Sequence, residues 1–150
     1  RPVSAVSEAA AARRARAADR RGNNGNIGGT RAGLGHTGGH SLIADRPEGR
    51  AGGMGLGFNG GELLAASLGG CFWNDLHYAA EAMGQIVEVR SVDVALVLDG
   101  TPARVTGATI SARLNGVQAR AVFDRACVES TIANSISGAI RIDFAFEEGE

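Results

Sequence analysis

The chain has 150 residues, 16 acidic and 15 basic, for a formal net charge of −1. That length suits one domain with its own hydrophobic core, and so small a charge carries no long-range field toward nucleic acid or an anionic membrane. No apolar run approaches the roughly 20 residues of a membrane span, and two cysteines without a secretory pattern do not make a disulfide scaffold, so a cytoplasmic chain is expected.

Residues 4–21 are rich in Ala and Arg, and every basic residue of the chain is Arg. Ser7 is placed to cap a helix from Glu8 to Arg20, but without large apolar side chains such a helix buries little, and residues 1–27 read as a frayed arm. The chain opens at Arg1 rather than Met, which points to removal of a leading segment. Gly22 to Gly29 is an Asn/Gly turn-rich stretch with nothing to pack. His40–Ala44 reads as a short strand closed by Asp45-Arg46-Pro47, and 48–61 as a glycine-rich loop.

Gly60 to Gly84 is the longest apolar stretch with helical period. Leu64, Leu68, Cys71 or Phe72, and Tyr78 or Ala79 recur at three- and four-residue steps, and Gly84 stands where a C-capping glycine would end the helix. Small residues fill its first half. Gly69 and Gly70 each cost about 1 kcal/mol against Ala, which predicts close contact with another backbone. Ile86–Leu98 and Val105–Leu114 are β-branched, partly alternating strands, with tight-turn signals at Asp99-Gly100 and Asn115-Gly116. Residues 117–137 return to helical spacing, with Val122, Ala126, Ser130 and Ala133 on one side. Ile140–Glu147 alternates as a half-buried closing strand. The order predicts an α+β fold with a largely antiparallel sheet. A central helix apolar nearly all round needs more cover than one small sheet gives, so a second subunit is expected on it.

Several patterns bear on chemistry. A cysteine in an apolar helix is ordinarily a small buried hydrophobe, and in a reducing compartment Cys71 and Cys127 read as packing residues, metal ligands or a redox pair. Gly55-Leu56-Gly57-Phe58-Asn59-Gly60 matches the glycine pattern of a dinucleotide loop. The preceding strand ends at Pro47, however, and no βαβ unit follows, so an apolar mouth formed by Met54, Leu56 and Phe58 is the better reading. His36, His40 and His77 lack chelating spacing with the cysteines, so no metal is expected. Asp75 shares a helix face with Cys71; a carboxylate there works against thiolate formation unless it pairs with an Arg. Phe72, Trp73 and Tyr78 read as core or subunit packing.

Glu62-Leu63-Leu64-Ala65-Ala66-Ser67-Leu68-Gly69-Gly70-Cys71-Phe72 resembles the central helix of the OsmC/Ohr family, the osmotically inducible and organic hydroperoxide resistance proteins. The resemblance extends upstream through Gly39–Pro47 and downstream through Ala126–Ser135, covering roughly residues 28–148, and implies a single OsmC-like domain over residues 28–150. It implies an intertwined homodimer with both central helices buried between two sheets. It also implies a thiol-dependent peroxidase without metal, flavin or haem. Cys71 would attack an organic hydroperoxide, Cys127 would resolve the sulfenic acid as a disulfide, and a dithiol reductant would open it. The family's activating Arg, from the first hairpin, corresponds to Arg31, with Arg21 and Arg20 as substitutes. Its partner Glu lies ten residues before the first Cys, where this chain has Gly61. Glu62 is one residue later and, if helical, roughly opposite Cys71; it fills the role only if the helix starts later or it reaches back as a capping acid. That departure leaves two alternatives: a non-catalytic dimer binding a small apolar ligand, and a redox-sensing dimer.

Overall fold

The computed structural model describes residues 21–149; the expected helix over Glu8–Arg20 lies outside them. The chain divides into two compact units after Asn59.

The first unit carries a three-stranded antiparallel sheet, β1 (Gly22–Asn26), β2 (Gly33–Thr37) and β3 (His40–Ala44), in sequential order. β3 falls where the sequence places it. β1 corrects the reading of 22–29 as turn alone, and β2 lies where the sequence suggested no element. Their glycines and asparagines have little β propensity, but Gly22–Asn26 pairs residue for residue with Gly33–Thr37. The backbone ladder alone therefore makes this strand, while its side chains stay exposed. Gly38 and Gly39, at φ +57 and +81, close the β2–β3 hairpin with the two positive φ values that match strand twist in a two-residue turn.

The second unit begins with α1 (Gly60–Ala82), followed by β4 (Glu88–Asp99), β5 (Arg104–Asn115), α2 (Ala119–Glu129), α3 (Thr131–Ile136) and β6 (Arg141–Glu148). α1 ends as expected, with Gly84 at φ +62 just beyond it. Leu68, Phe72, Leu76, Ala79 and Ala80 form its buried face. Against this face pack Ala108, Ile110, Ala112 and Leu114, the alternate inward residues of β5, together with Val122, Phe123 and Ala126 of α2. Phe72 is the centre of this core. It has no exposed surface, and its ring lies 5.6 Å from that of Phe123 and 5.1 Å from that of Phe144. Burying one such side chain contributes about 1.5–3 kcal/mol.

The pairing is largely antiparallel, as expected, and the parallel exception is β6 on β5, because the chain crosses over through α2 and α3 before it returns. The helical stretch expected over 117–137 is broken: Ser130 is extended at φ −63, ψ 111 and separates α2 from α3.

α1 is not buried all round. A stripe of Ala66, Gly70, Trp73 and His77 is exposed, as is Tyr78. Of the paired glycines, Gly69 has a packing reason: a Cβ there would come within 3.2 Å of Val94 Cγ2 on β4. Gly70 faces open space.

Candidate thiol site

Cys71 lies at mid-length on α1, half-buried, one residue before the core Phe72. One turn on, the same helix face carries Asp75, as the four-residue spacing requires. The Cys71 thiol donates to Asp75 Oδ2 at 3.3 Å. The sulfur also lies near the α2–α3 junction, close enough for the Ile132 N–H and the Ser130 hydroxyl to bear on its ionisation. Ser130 is 1% exposed, and its Oγ closes no hydrogen bond of good geometry among the described residues, so its contact with the neutral sulfur is loose. Burial pushes the Cys71 thiol above its ordinary value and Asp75 adds to this, whereas the Ile132 and Ser130 donors pull the other way.

Cys127 lies on α2, half-buried against the apolar core. Burial pushes its thiol up to about 12; Asp124 adds to the shift and Arg120 opposes it. Both cysteines are free thiols. The structure thus brings Cys71 to the segment that begins three residues after Cys127. Sequence reading named both cysteines and Asp75 but missed Ser130, which it placed inside a continuous helix. A serine between two helical patterns, in the position of an N-cap, was the available signal.

Glu62 lies in the first turn of α1 and is exposed. The helix starts at Gly60, before Glu62 rather than after it, so Glu62 stands about two and a half turns from Cys71 along α1. Arg31 belongs to the first unit, in the β1–β2 connection. Its carbonyl accepts a 2.8 Å hydrogen bond from Arg46 Nη2, and its side chain lies over Gly52.

The first unit also holds a buried carboxylate whose role the sequence did not reveal. Asp45 follows β3 directly, with its side chain 1% exposed. Its Oδ1 accepts from the Arg46 N–H at 2.8 Å, and its Oδ2 accepts from the N–H groups of Met54 and Leu56 at 3.0 and 3.1 Å. The Leu56 and Met54 donors hold this carboxyl below its usual value, with the Arg46 N–H and guanidinium adding to them against the cost of burial. This clamp folds the glycine-rich loop back on β3, where Gly53 packs so closely that a Cβ would lie 2.6 Å from the Arg46 and Pro47 carbonyl oxygens. Met54, Leu56 and Phe58 are left exposed. The loop returns through a bridge between Ala44 and Phe58, unlike a phosphate-binding turn between strand and helix.

Among the described residues, no three His, Cys, Asp or Glu side chains gather into a metal-binding group, and no helix is long and apolar enough to cross a membrane.

A central helix that carries a cysteine, packed on an antiparallel hairpin extended by a parallel strand, with a second cysteine on the crossover, defines an α+β protein of the OsmC type. The family model of OsmC-like proteins matches residues 52–145, and the chain belongs to that family. Among solved structures it is similar to the organic hydroperoxide resistance protein OsmC of Legionella pneumophila, at 22% identity and a TM-score of 0.69 over 87% of this chain and 98% of that one. It is also similar to the organic hydroperoxide resistance protein OhrB of Bacillus subtilis, at 17% identity and a TM-score of 0.64 over 86% and 98%. An OsmC-like protein of unknown function from Vibrio cholerae gives 14% identity and a TM-score of 0.73 over 87% and 99%. At these identities the likeness speaks to the fold alone. Among curated proteins none matches significantly.

Proposed function

We propose that this chain is a thiol-dependent peroxidase that reduces organic hydroperoxides in the cytoplasm. The Cys71 thiolate attacks the outer peroxide oxygen, the O–O bond breaks, and the sulfur is left as a sulfenic acid while the substrate leaves as an alcohol. Cys127 displaces water from the sulfenic acid to form an intramolecular disulfide, which a dithiol reductant reopens. Sulfur carries the electrons, so the cycle draws on no metal, flavin or haem. By the family resemblance, Arg31 is the candidate for the guanidinium that favours the thiolate; Glu62, already inside the first turn of α1, serves that guanidinium only by reaching back as a capping acid. One observation carries the reading: Cys71 lies near the α2–α3 junction at Ser130, three residues after Cys127.

The working form in this reading is a homodimer. The exposed stripe of α1, with Ala66 and Gly70 followed by Trp73, gives a partner helix a place for close approach and then aromatic area to bury. One equivalent of cumene hydroperoxide should consume both thiols and yield a disulfide, and Cys71→Ser should abolish turnover with a dithiol present. Full turnover by Cys71→Ser refutes the assignment.

A second reading is favoured by the upward shift of both thiols: a non-catalytic dimer that binds a small apolar ligand and keeps both cysteines reduced. In that case the thiol count after cumene hydroperoxide stays at two. A redox-sensing dimer would form the disulfide yet show no turnover with a dithiol.

A further inference from the structure

Ser130 occupies the N-cap position of α3, where a serine oxygen ordinarily accepts from the N–H two or three residues on. Here it makes no such bond. Its hydroxyl is buried and has no hydrogen-bond partner among the described residues, an arrangement that costs stability unless some state of the protein uses it. The Cys71 sulfur is close enough for both this hydroxyl and the Ile132 N–H to bear on its ionisation. The thiol proton already points to Asp75 Oδ2. The sulfur therefore has an acceptor for its proton and, nearby, donors for its charge.

We infer that Cys71, Asp75 and Ser130 form a proton-transfer device. The Asp75 carboxylate takes the thiol proton, the Ser130 hydroxyl then donates to the charged sulfur, and Asp75 returns the proton to the leaving group. This inference rests on the hydroperoxide reading above. The S–H bond breaks toward Asp75 Oδ2 and the electron pair stays on sulfur. The thiolate attacks the outer oxygen of the hydroperoxide, an S–O bond forms and the O–O bond breaks. Sulfur is oxidised by two electrons, the peroxide is reduced by two, and the alkoxide takes the proton from Asp75 to leave as the alcohol.

Asp75 is the charged side chain acting on Cys71, and α3 adds only the uncharged donors Ser130 and Ile132. On α2, Arg120 pairs with Asp124 and Arg125 with Glu129. An anionic base beside the thiol keeps the resting sulfur neutral, so thiolate forms when the proton is passed rather than standing exposed to other oxidants.

The test uses the full chain with Cys127→Ser, so that Cys71 is the thiol observed. Thiolate ultraviolet absorbance is followed against pH, alongside alkylation by iodoacetamide and oxidation by cumene hydroperoxide. Asp75→Asn is expected to raise the thiolate fraction and the alkylation rate at neutral pH, yet to slow oxidation per thiolate about a hundredfold, the usual worth of a positioned acid–base group. Oxidation that rises in step with alkylation overturns the role of Asp75. Ser130→Ala is expected to cut the thiolate fraction about tenfold, as loss of one hydrogen bond to a charged sulfur should, with Ser130→Thr restoring it. A titration that Ser130→Ala leaves unmoved overturns the role of Ser130. If the Cys127→Ser protein reacts with cumene hydroperoxide no faster than a free cysteine does, the hydroperoxide reading falls. The titrations of the Asp75 and Ser130 variants still decide whether the three groups share the proton.

Discussion

The Cys71 thiol donates to Asp75 Oδ2 at 3.3 Å, one helical turn along α1. Burial of the sulfur holds the proton on it, and the carboxylate adds to this against the Ile132 and Ser130 donors. Cys71 should therefore alkylate more slowly at pH 7 than a free cysteine, with its thiolate half-formed above pH 9.0, the ordinary thiol value. A half-point below that value would show that a cation outweighs burial and Asp75 at the site.

Cys127 gives a prediction for stability in alkali. Its folded value is raised to about 12 from 9.0. A raised folded value means that the neutral thiol's contribution is whole below pH 9.0 and is lost as pH rises through about 12. Urea midpoints of wild type and Cys127→Ala should therefore draw together across that range. A constant gap would mean the thiol ionises equally in the folded and unfolded chains.

Asp45 gives the opposite sign. Its folded value lies below 3.8, so its contribution is whole above that pH and is lost as pH falls through the lower folded value. Asp45→Ala leaves the Met54 and Leu56 N–H groups without their acceptor. Amide exchange across 46–57 should accelerate at neutral pH while exchange in α1 is unchanged.

Phe72 should be the costliest single truncation in the second unit. With no exposed surface and ring contacts to Phe123 and Phe144, Phe72→Ala should lose about 3–5 kcal/mol by urea unfolding. A loss under about 1 kcal/mol would mean that the core collapses into the cavity.

The glycine pair separates packing within the chain from packing between chains. Gly69→Leu must collide with Val94 and should destabilise the fold. Gly70 faces open space within the chain, so a bulky side chain there disturbs only what lies outside it. Gly70→Trp should convert the proposed dimer to monomer in sedimentation without loss of helix signal. A dimer that survives this change has its interface elsewhere.

Local patterns were enough to locate α1, its stop at Gly84 and the strands β3 to β6. In each, the identity of side chains at successive positions decides which face is buried. The two cysteines and the Cys71–Asp75 spacing were legible for the same reason, since neighbours one turn apart on a helix are fixed by sequence separation alone. β1 and β2 were not legible, because glycine and asparagine strands are held by a backbone ladder that leaves no side-chain period. Nor was the parallel β6, whose direction depends on where the α2–α3 crossover returns. Only the folded chain could set Ser130 and Ile132 against the Cys71 sulfur, or make Asp45 the anchor of a loop as far along as Leu56. Both depend on segments distant in sequence meeting in space, and neither period nor composition encodes that meeting.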